Sequence, residues 1–488
     1  MKSNLDLLLV NVGGVRGKVY QILANEFSAI EPPFWAALTA SFIRSRGYNV
    51  EILDANADNL GIEETAEIIV ENNPNLINIV VYGQQPAAST QLMHGVNLLC
   101  SEIKKRNNKS AIILTGLHPS ALPERTLREE ECDFVGEGEG FHTLLRLLQK
   151  RELPQIPGLW YKEDGKISHN PRAQNIQDLD SELPDVAWDL LPWGKYKAHN
   201  WQCLDDLTSR DRYASLSTSL GCPFACTFCS IHATFGERKI RNWSPEWVLK
   251  QIDTLVKEYG VKIIKIIDEL FVFKPEHFMP VCDGLIERDY GLNIWAYARV
   301  DTIKEEYLEK LRRAGFKWLC LGIESGSKEV RKSVLKGRFE QEDIFSVVRK
   351  IKDADINILG NYLFGLPEDD MDSMQETLDL AIELQTEYAN LYCATAYPGS
   401  KLYEWAIAEG IKLPDSWIGY SQHSYEYLPL PTKKVSAAEV LRFKDKAFHT
   451  YFTNPAYLDM VKRRFGLEAR EHIQRMTEIK LRRRLLGD

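Results

Sequence analysis

Short β-rich runs that end in turn residues alternate with helical stretches along most of this chain, in two separate series. The first series is LDLLLVNVGG, YNVEILDAN, NLINIVVYG, SAIILTGLHP and CDFVGEGEG, with helical patterns such as 34–46 and 90–106 between its members. Strands that alternate with helices imply a parallel sheet, because each helix carries the chain back to the same edge. A doubly wound, Rossmann-like sheet is therefore expected over 1–150. Ligands in such sheets sit beyond the carboxyl ends of the strands, where Gly13, Gly14, Gly83, Gly116 and Gly136 fall.

The second series is YASLSTSLG, VKIIKIID, LNIWAYARV, KWLCLGIES, NILGNYLFGLP and ANLYCATAYPG, again separated by helical stretches such as 304–314. Six such units are too few for a closed eight-stranded barrel, so 206–400 is read as a partial (βα)6 TIM-type barrel. Its chemistry belongs at the carboxyl ends of the strands. Residues 151–205 are rich in Pro, Asp and Trp and have little periodicity; they read as an ordered connector. The remainder, 401–488, reads as mainly helical.

Composition narrows the partners. At 44% hydrophobic and 26% charged, the chain of 488 residues has ample material for several cores. No apolar run approaches the roughly 18 residues of a membrane span. The opening MKSNLDLLLVNVGG has the flanks of a first strand and not those of a secretory signal, so a cytoplasmic protein is expected. A net charge of −9 argues against nucleic-acid binding. The segment 461–488 departs from this, with nine Lys and Arg against four Asp and Glu, and reads as the solvated face of a terminal helix.

Nine cysteines, an odd number, make a disulfide framework improbable. Cys100, Cys132, Cys203, Cys282, Cys320 and Cys393 are scattered among apolar neighbours and read as packing thiols. Cys222, Cys226 and Cys229 stand apart, in SLGCPFACTFCSIH, directly after the first strand of the second series. Two chemistries use such a group. Zinc would take His232 as its fourth ligand in a closed tetrahedron. An iron–sulfur cube would use three thiolates and keep its fourth iron open. Zinc knuckles usually stand alone as small folds, whereas this loop opens a barrel, so the cluster is the preferred reading and His232 is left to packing or surface.

The C-x3-C-x2-C spacing, with the aromatic Phe228 before the last cysteine, resembles the radical S-adenosylmethionine superfamily. IIDELF, YARVD, GIESGS and NYLFGLPED resemble that family's later strand-end segments, in the same order. EPPFWAALTASFIRSRGYNVEILDAN, TGLHPSALPE and CDFVGEGEG are similar to the cobalamin-binding domain often fused to these barrels. IPGLWYKEDGKI and LPDVAWDLLP resemble the segment that joins the two. The resemblance covers roughly 5–400.

The resemblance implies that Cys222, Cys226 and Cys229 bind a [4Fe–4S] cluster and that S-adenosylmethionine chelates the open iron. One-electron reduction then cleaves the sulfonium to methionine and a 5′-deoxyadenosyl radical. Phe228 accompanies the cluster, Asp268 or Glu269 takes the ammonium, Arg299 the carboxylate, and Glu324 and Ser325 the ribose hydroxyls, with Gly322 and Gly326 permitting close approach. Each has a plainer reading: a helix cap for the acidic pair, an ion pair with Asp301 for Arg299, a turn for GIESGS. Cobalamin is implied near Gly13, Gly14, Gly83, Thr115, Gly116, His118, Gly136 and Glu137. Where many such domains carry D-x-H-x-x-G, this chain has Asn11-Val12-Gly13-Gly14, and its first histidine is His94. An axial imidazole from that loop is thus impossible, and His118 is left as a contact to the corrin edge or an ordinary loop residue.

The expected function is radical methyl transfer from cobalamin to an unactivated carbon of a small molecule, with an electron from a low-potential donor such as a flavodoxin or ferredoxin. A radical cyclase or rearrangement enzyme is the runner-up, and a non-catalytic iron–sulfur sensor is the alternative of another class. A tRNA methylthiotransferase fits less well, since no cysteine precedes Cys100. Trp201, Trp295, Tyr297, Tyr362 and Tyr397 are read as cavity lining or as core.

Overall fold

The computed structural model describes residues 5–83, 85, 88–106, 109–337 and 339–488. The first series forms five parallel strands: β1 (Leu7–Asn11), β2 (Val50–Asp54), β3 (Leu76–Val81), β4 (Ala111–Gly116) and β5 (Phe134–Gly136). An antiparallel hairpin, β6 (Leu159–Glu163) and β7 (Lys166–His169), completes a sheet in the order β2-β1-β3-β4-β5-β6-β7. Alternate residues of β1 serve opposite helix layers, as the strand period of two requires. Leu7 and Leu9 share a core with Phe34, Phe42 and Phe141, while Leu8 and Val10 share another with Ala66, Val96 and Leu99. The sheet is doubly wound. Its switch point lies between β1 and β3, where the strand order reverses.

The hairpin lies inside the segment read as a connector. It turns on Asp164 and Gly165, both with positive φ (51° and 77°), the conformation of a two-residue hairpin loop.

The second series begins with β8 (Tyr213–Leu216) and a small ribbon of β9 (Ser219–Leu220) with β10 (Arg241–Asn242). It continues with β11 (Ile263–Ile266), β12 (Asn293–Arg299), β13 (Phe316–Glu324), β14 (Asn357–Phe364) and β15 (Tyr388–Cys393). The six long strands pair in parallel in the order β15-β14-β13-β12-β11-β8, so the barrel is partial, with β8 and β15 as its edges. The crossover helices carry ordinary stop and start signals. In Pro245–Tyr259 the Ser244 hydroxyl accepts from the Trp247 amide, proline occupies the first turn, and Gly260 ends the helix in the left-handed region.

Neither barrel edge is bare. The Ser215 hydroxyl of β8 donates to the Pro32 carbonyl at 3.3 Å, and helix Ala437–Phe452 packs on β15. One continuous core runs from the Phe34–Arg44 helix layer through Trp188 and Trp201 into the barrel. Beyond the barrel the chain is mainly helical: Lys401–Ala408, Ala437–Phe452, Pro455–Phe465 and Leu467–Glu478. Among the described residues, no helix is long and apolar enough to cross a membrane.

Candidate active site

The cysteine loop leaves β9 through Gly221, whose φ is 91° and whose added Cβ would lie 2.4 Å from the Lys239 carbonyl oxygen. A side chain has no room there. Cys222, Cys226 and Cys229 follow, all partly exposed, whereas the six scattered cysteines are buried. Burial, and after it Glu269 and the neighbouring thiols, push Cys222 up to about 11 and Cys229 well above the ordinary thiol range. Among the described residues, no three His, Cys, Asp or Glu side chains close on a point that one ion could fill. Zinc would need its sulfur ligands about 2.3 Å away. A cluster of several irons accepts thiolates set farther apart. His232 stands outside the set: its Nε2 faces the Phe224 carbonyl at 2.7 Å and its Nδ1 the Glu237 carbonyl at 3.2 Å. Three thiols, with His232 turned to backbone carbonyls, fit an iron–sulfur cluster that takes three thiolates.

The adjacent carboxylates after β11 part company. Asp268, 1% exposed, accepts from the Thr218 amide, the Thr218 hydroxyl and the Ser219 hydroxyl, each at 2.6 Å. It pins the β8–β9 turn. Glu269 instead faces a cavity beside Cys229 and Phe228, and burial together with the Asp268 charge pushes it up to about 8.

Arg299, at the end of β12, donates to both Asp301 carboxylate oxygens at 2.8 Å, donates to the Cys226 sulfur at 3.5 Å, and stacks on Phe224. The plainer reading of Arg299 as a partner of Asp301 is thus what the geometry contains, with the cysteine contact added. Glu324 ends β13 with a φ of 70°, an uncommon conformation for a side-chain-bearing residue, and binds Lys336 Nζ at 2.7 Å. Lys336 carries no sequence signal; only the chain's return brings it there. Gly322 leaves room for this pair, since a Cβ would meet Lys336 Nζ at 2.4 Å, and Gly326 gives way to the Glu376 backbone. The Ser325 hydroxyl is occupied by Thr377 and the Ser327 amide, at 3.2 and 3.1 Å.

Phe228, Cys229, Glu269 and Glu324 line one cavity of about 270 Å³. It shares Tyr297, Asn390 and Tyr392 with a larger one of about 630 Å³, and Tyr20, Gln85 and Ala88 of the first domain line both. Trp201 and Trp295 line the larger cavity and Tyr397 the smaller, whereas Tyr362 is fully buried core.

Of the cobalamin-side residues, Gly83 meets Glu269 across a small gap between the domains. The others are held within their own domain or by the tail. Gly13 passes close to Ala55, and Gly14 turns with a φ of 76°. Thr115 donates to Asn78 at 2.9 Å, Gly116 crowds Val81, and Gly136 packs on Thr115. Glu137 binds Trp160 Nε1 at 2.8 Å and Arg172 at 3.5 Å. His118 is fully buried between Thr90 and Trp417, and that burial holds its imidazole down to about 3. The smaller cavity between the domains, with aromatic walls and the amides of Gln85 and Gln91, suits a flat group with polar edges.

Comparison with known proteins gives this geometry its family. The model of the Radical SAM superfamily matches residues 216–381, and that of the B12 binding domain matches 20–148. An uncharacterized methyltransferase of Pyrococcus horikoshii is 31% identical over 453 residues, covering 90% of this chain and 94% of that one. The anaerobic magnesium-protoporphyrin IX monomethyl ester cyclase of Rubrivivax gelatinosus is 26% identical, over 88% of this chain and 75% of that one. In fold the chain is similar to the radical S-adenosylmethionine methyltransferase TsrM from Kitasatospora setae, with a TM-score of 0.68 at 16% identity, over 97% of this chain and 99% of that one. The cysteine loop at the mouth of a partial barrel, the doubly wound domain before it and the match over 90% of the chain together place this chain in the radical S-adenosylmethionine superfamily, among the members that carry a B12-binding domain.

Proposed function

We propose that this enzyme transfers a methyl group to an unactivated carbon of a small molecule. The observation that carries the reading is one cavity in which Cys229, Glu269 and Glu324 of the barrel mouth meet Tyr20 and Gln85 of the B12-binding domain. Two of the cofactors and the reacting carbon can share such a space. The relative of 31% identity is itself named a methyltransferase.

In this reading Cys222, Cys226 and Cys229 hold a [4Fe–4S] cluster, and cobalamin lies between the loops of the first sheet and the barrel mouth. When bound, these groups and S-adenosylmethionine supply a low-potential electron, a carbon-centred radical and a transferable methyl. The chain's own residues position and shield. Glu269 accepts the ammonium of S-adenosylmethionine, whose positive charge favours the carboxylate that burial otherwise disfavours. Glu324, held by Lys336, would take the ribose hydroxyls, and Arg299, beside Cys226, would take the carboxylate. The aromatic walls keep water from the reacting carbon. An electron donor of the flavodoxin or ferredoxin class serves the cluster, and thiols that must stay reduced to hold it support a cytoplasmic reading.

Anaerobic reconstitution tests this. The full chain should take up about four irons, the number in such a cluster, and Cys226→Ala should lose them. With a strong reductant and candidate substrates, the product should gain one CH2. A product with no added carbon would replace methyl transfer with the cyclase reading, which the Rubrivivax relative supports.

A further inference from the structure

We propose that the substrate is a flat, mostly apolar molecule carrying an acidic group, a carboxylate or a phosphate, which the C-terminal tail receives at the mouth of the larger cavity. The inference rests on the methyl-transfer reading above and specifies its substrate class.

The walls define the body of that molecule. Trp201, Trp295, Tyr297 and Tyr388 project into the partial barrel, with the Trp201 ring 5.1 Å from Trp295 and 6.2 Å from Tyr388. Aromatic faces of this kind accept apolar or π-rich surface. The charges deep in the cavity already have partners. Glu31 accepts from Lys265 at 2.7 Å and from the Tyr213 hydroxyl at 3.0 Å, and Lys265 also lies over the Trp295 ring. Among the described residues, the charges deep in the cavity are paired with one another and leave none for an ionic group.

The mouth is different. Helix Ala437–Phe452 and the tail contribute Arg442, Lys444, Lys446, Lys480 and Arg483, against Asp445 and Asp488. Asp445 is already shared by Lys444 at 3.2 Å and Arg483 at 3.1 Å. Among the described residues, Lys480 pairs only with Asp488, at 4.0 Å. Arg442 and Lys446 are exposed; Arg442 has the Glu439 carboxylate within electrostatic reach, and neither side chain makes an ion pair within 4 Å among the described residues. They stand four apart on one helix face, a like-charge spacing that destabilises a helix unless an anion settles it. In a chain of net charge −9, this cationic rim concentrates anions at one opening. The basic tail thus forms part of a cavity wall, with Arg483 1% exposed, rather than only a solvated helix face. An acidic group at the rim leaves the body of the molecule pointing past Tyr297 and Tyr392 toward Cys229.

Three probes of one ring system test this on the full reconstituted protein: 1-naphthylacetate, 1-naphthyl phosphate and neutral 1-naphthylmethanol. Equilibrium dialysis should show at least one anion binding roughly fivefold or more tightly than the alcohol, the scale expected of two exposed cations. Whichever anion leads names the acidic group. In the double variant Arg442→Glu/Lys446→Glu the anion-to-alcohol ratio should fall to about one or below, and in the wild type it should fall as salt rises. The same charge change at Lys412, outside the cavity, should not move the ratio. Equal binding of all three probes, or a ratio unmoved by the double variant and by salt, would overturn the proposal. The measurement needs no turnover. If methyl transfer stands while the ratio fails, only the substrate class falls; if methyl transfer fails while the ratio holds, the anion site remains.

Discussion

Asp268 and Glu269 are neighbours of similar chemistry, and the structure gives them opposite work. Asp268 gathers three donors of the β8–β9 turn, so its removal strands buried polar groups. Asp268→Ala should lower stability by about 3 kcal/mol or more, the scale of several orphaned hydrogen bonds. Glu269 has a cavity on one side, and burial beside the Asp268 charge makes its carboxylate a burden on the fold near neutral pH. Glu269→Gln should therefore leave the urea midpoint no lower, or raise it, while weakening S-adenosylmethionine binding about tenfold, the scale of a charge-assisted contact. Urea denaturation and equilibrium dialysis on both variants separate the roles. Similar losses of binding with no loss of stability at Asp268 would reverse the assignment.

At the scale of elements, the strand ends are set by backbone contact as much as by ligands. Gly116 closes β4 with a φ of 123°, and a Cβ there would lie 2.2 Å from the Val81 carbonyl oxygen. Gly116→Ala should destabilise by about 3 kcal/mol, combining strained backbone with a clash against β3. Gly17, inside helix Arg16–Tyr20, has open space around it. There Gly17→Ala should add about 0.5–1 kcal/mol, the helix-propensity difference alone. Thermal or chemical unfolding of the pair checks whether the strand-end glycine is a backbone requirement. The same scale shows what was readable: Asp164-Gly165 is a hairpin signal in plain sequence, yet its flanking strands are short and partly polar, so β6 and β7 escaped a reading based on periodicity. YASLSTSLG reads as one strand but divides into β8 and β9, because Asp268 draws 217–218 into a turn.

For the whole molecule, stability in acid depends on histidines buried as neutral rings. Burial is the main cause that holds His118 and His423 down to about 3. Both folded values lie below the unfolded one of about 6.5. The stability associated with the neutral rings is therefore fully present above pH 6.5 and is lost as pH falls toward 3. These two rings together contribute about 2.7 kcal/mol per pH unit of that loss between roughly pH 5.5 and 4, opposed by the buried carboxyls of Asp54 and Asp369, which burial pushes up to about 6. His118→Gln should remove about 1.4 kcal/mol per pH unit from the measured dependence, as read from denaturant midpoints of variant and wild type across that range. An unchanged slope would mean that His118 is protonated in the fold.

Period and punctuation by themselves determined the two β/α series, the parallel sheets and the position of three grouped thiols at a strand end, because those depend on residues near one another in the chain. The partial barrel follows from the count of units, and the family from motifs set at successive strand ends. Tertiary structure decided which of two adjacent carboxylates faces the cavity, since that depends on donors some fifty residues away in Thr218 and Ser219. It also brought Lys336 to Glu324, and the basic tail to a cavity begun by the first domain more than four hundred residues earlier. Such contacts leave no period in the sequence. They exist only once the open edges of the barrel are covered, and burial then fixes which polar groups are paired and which are left facing the cavity.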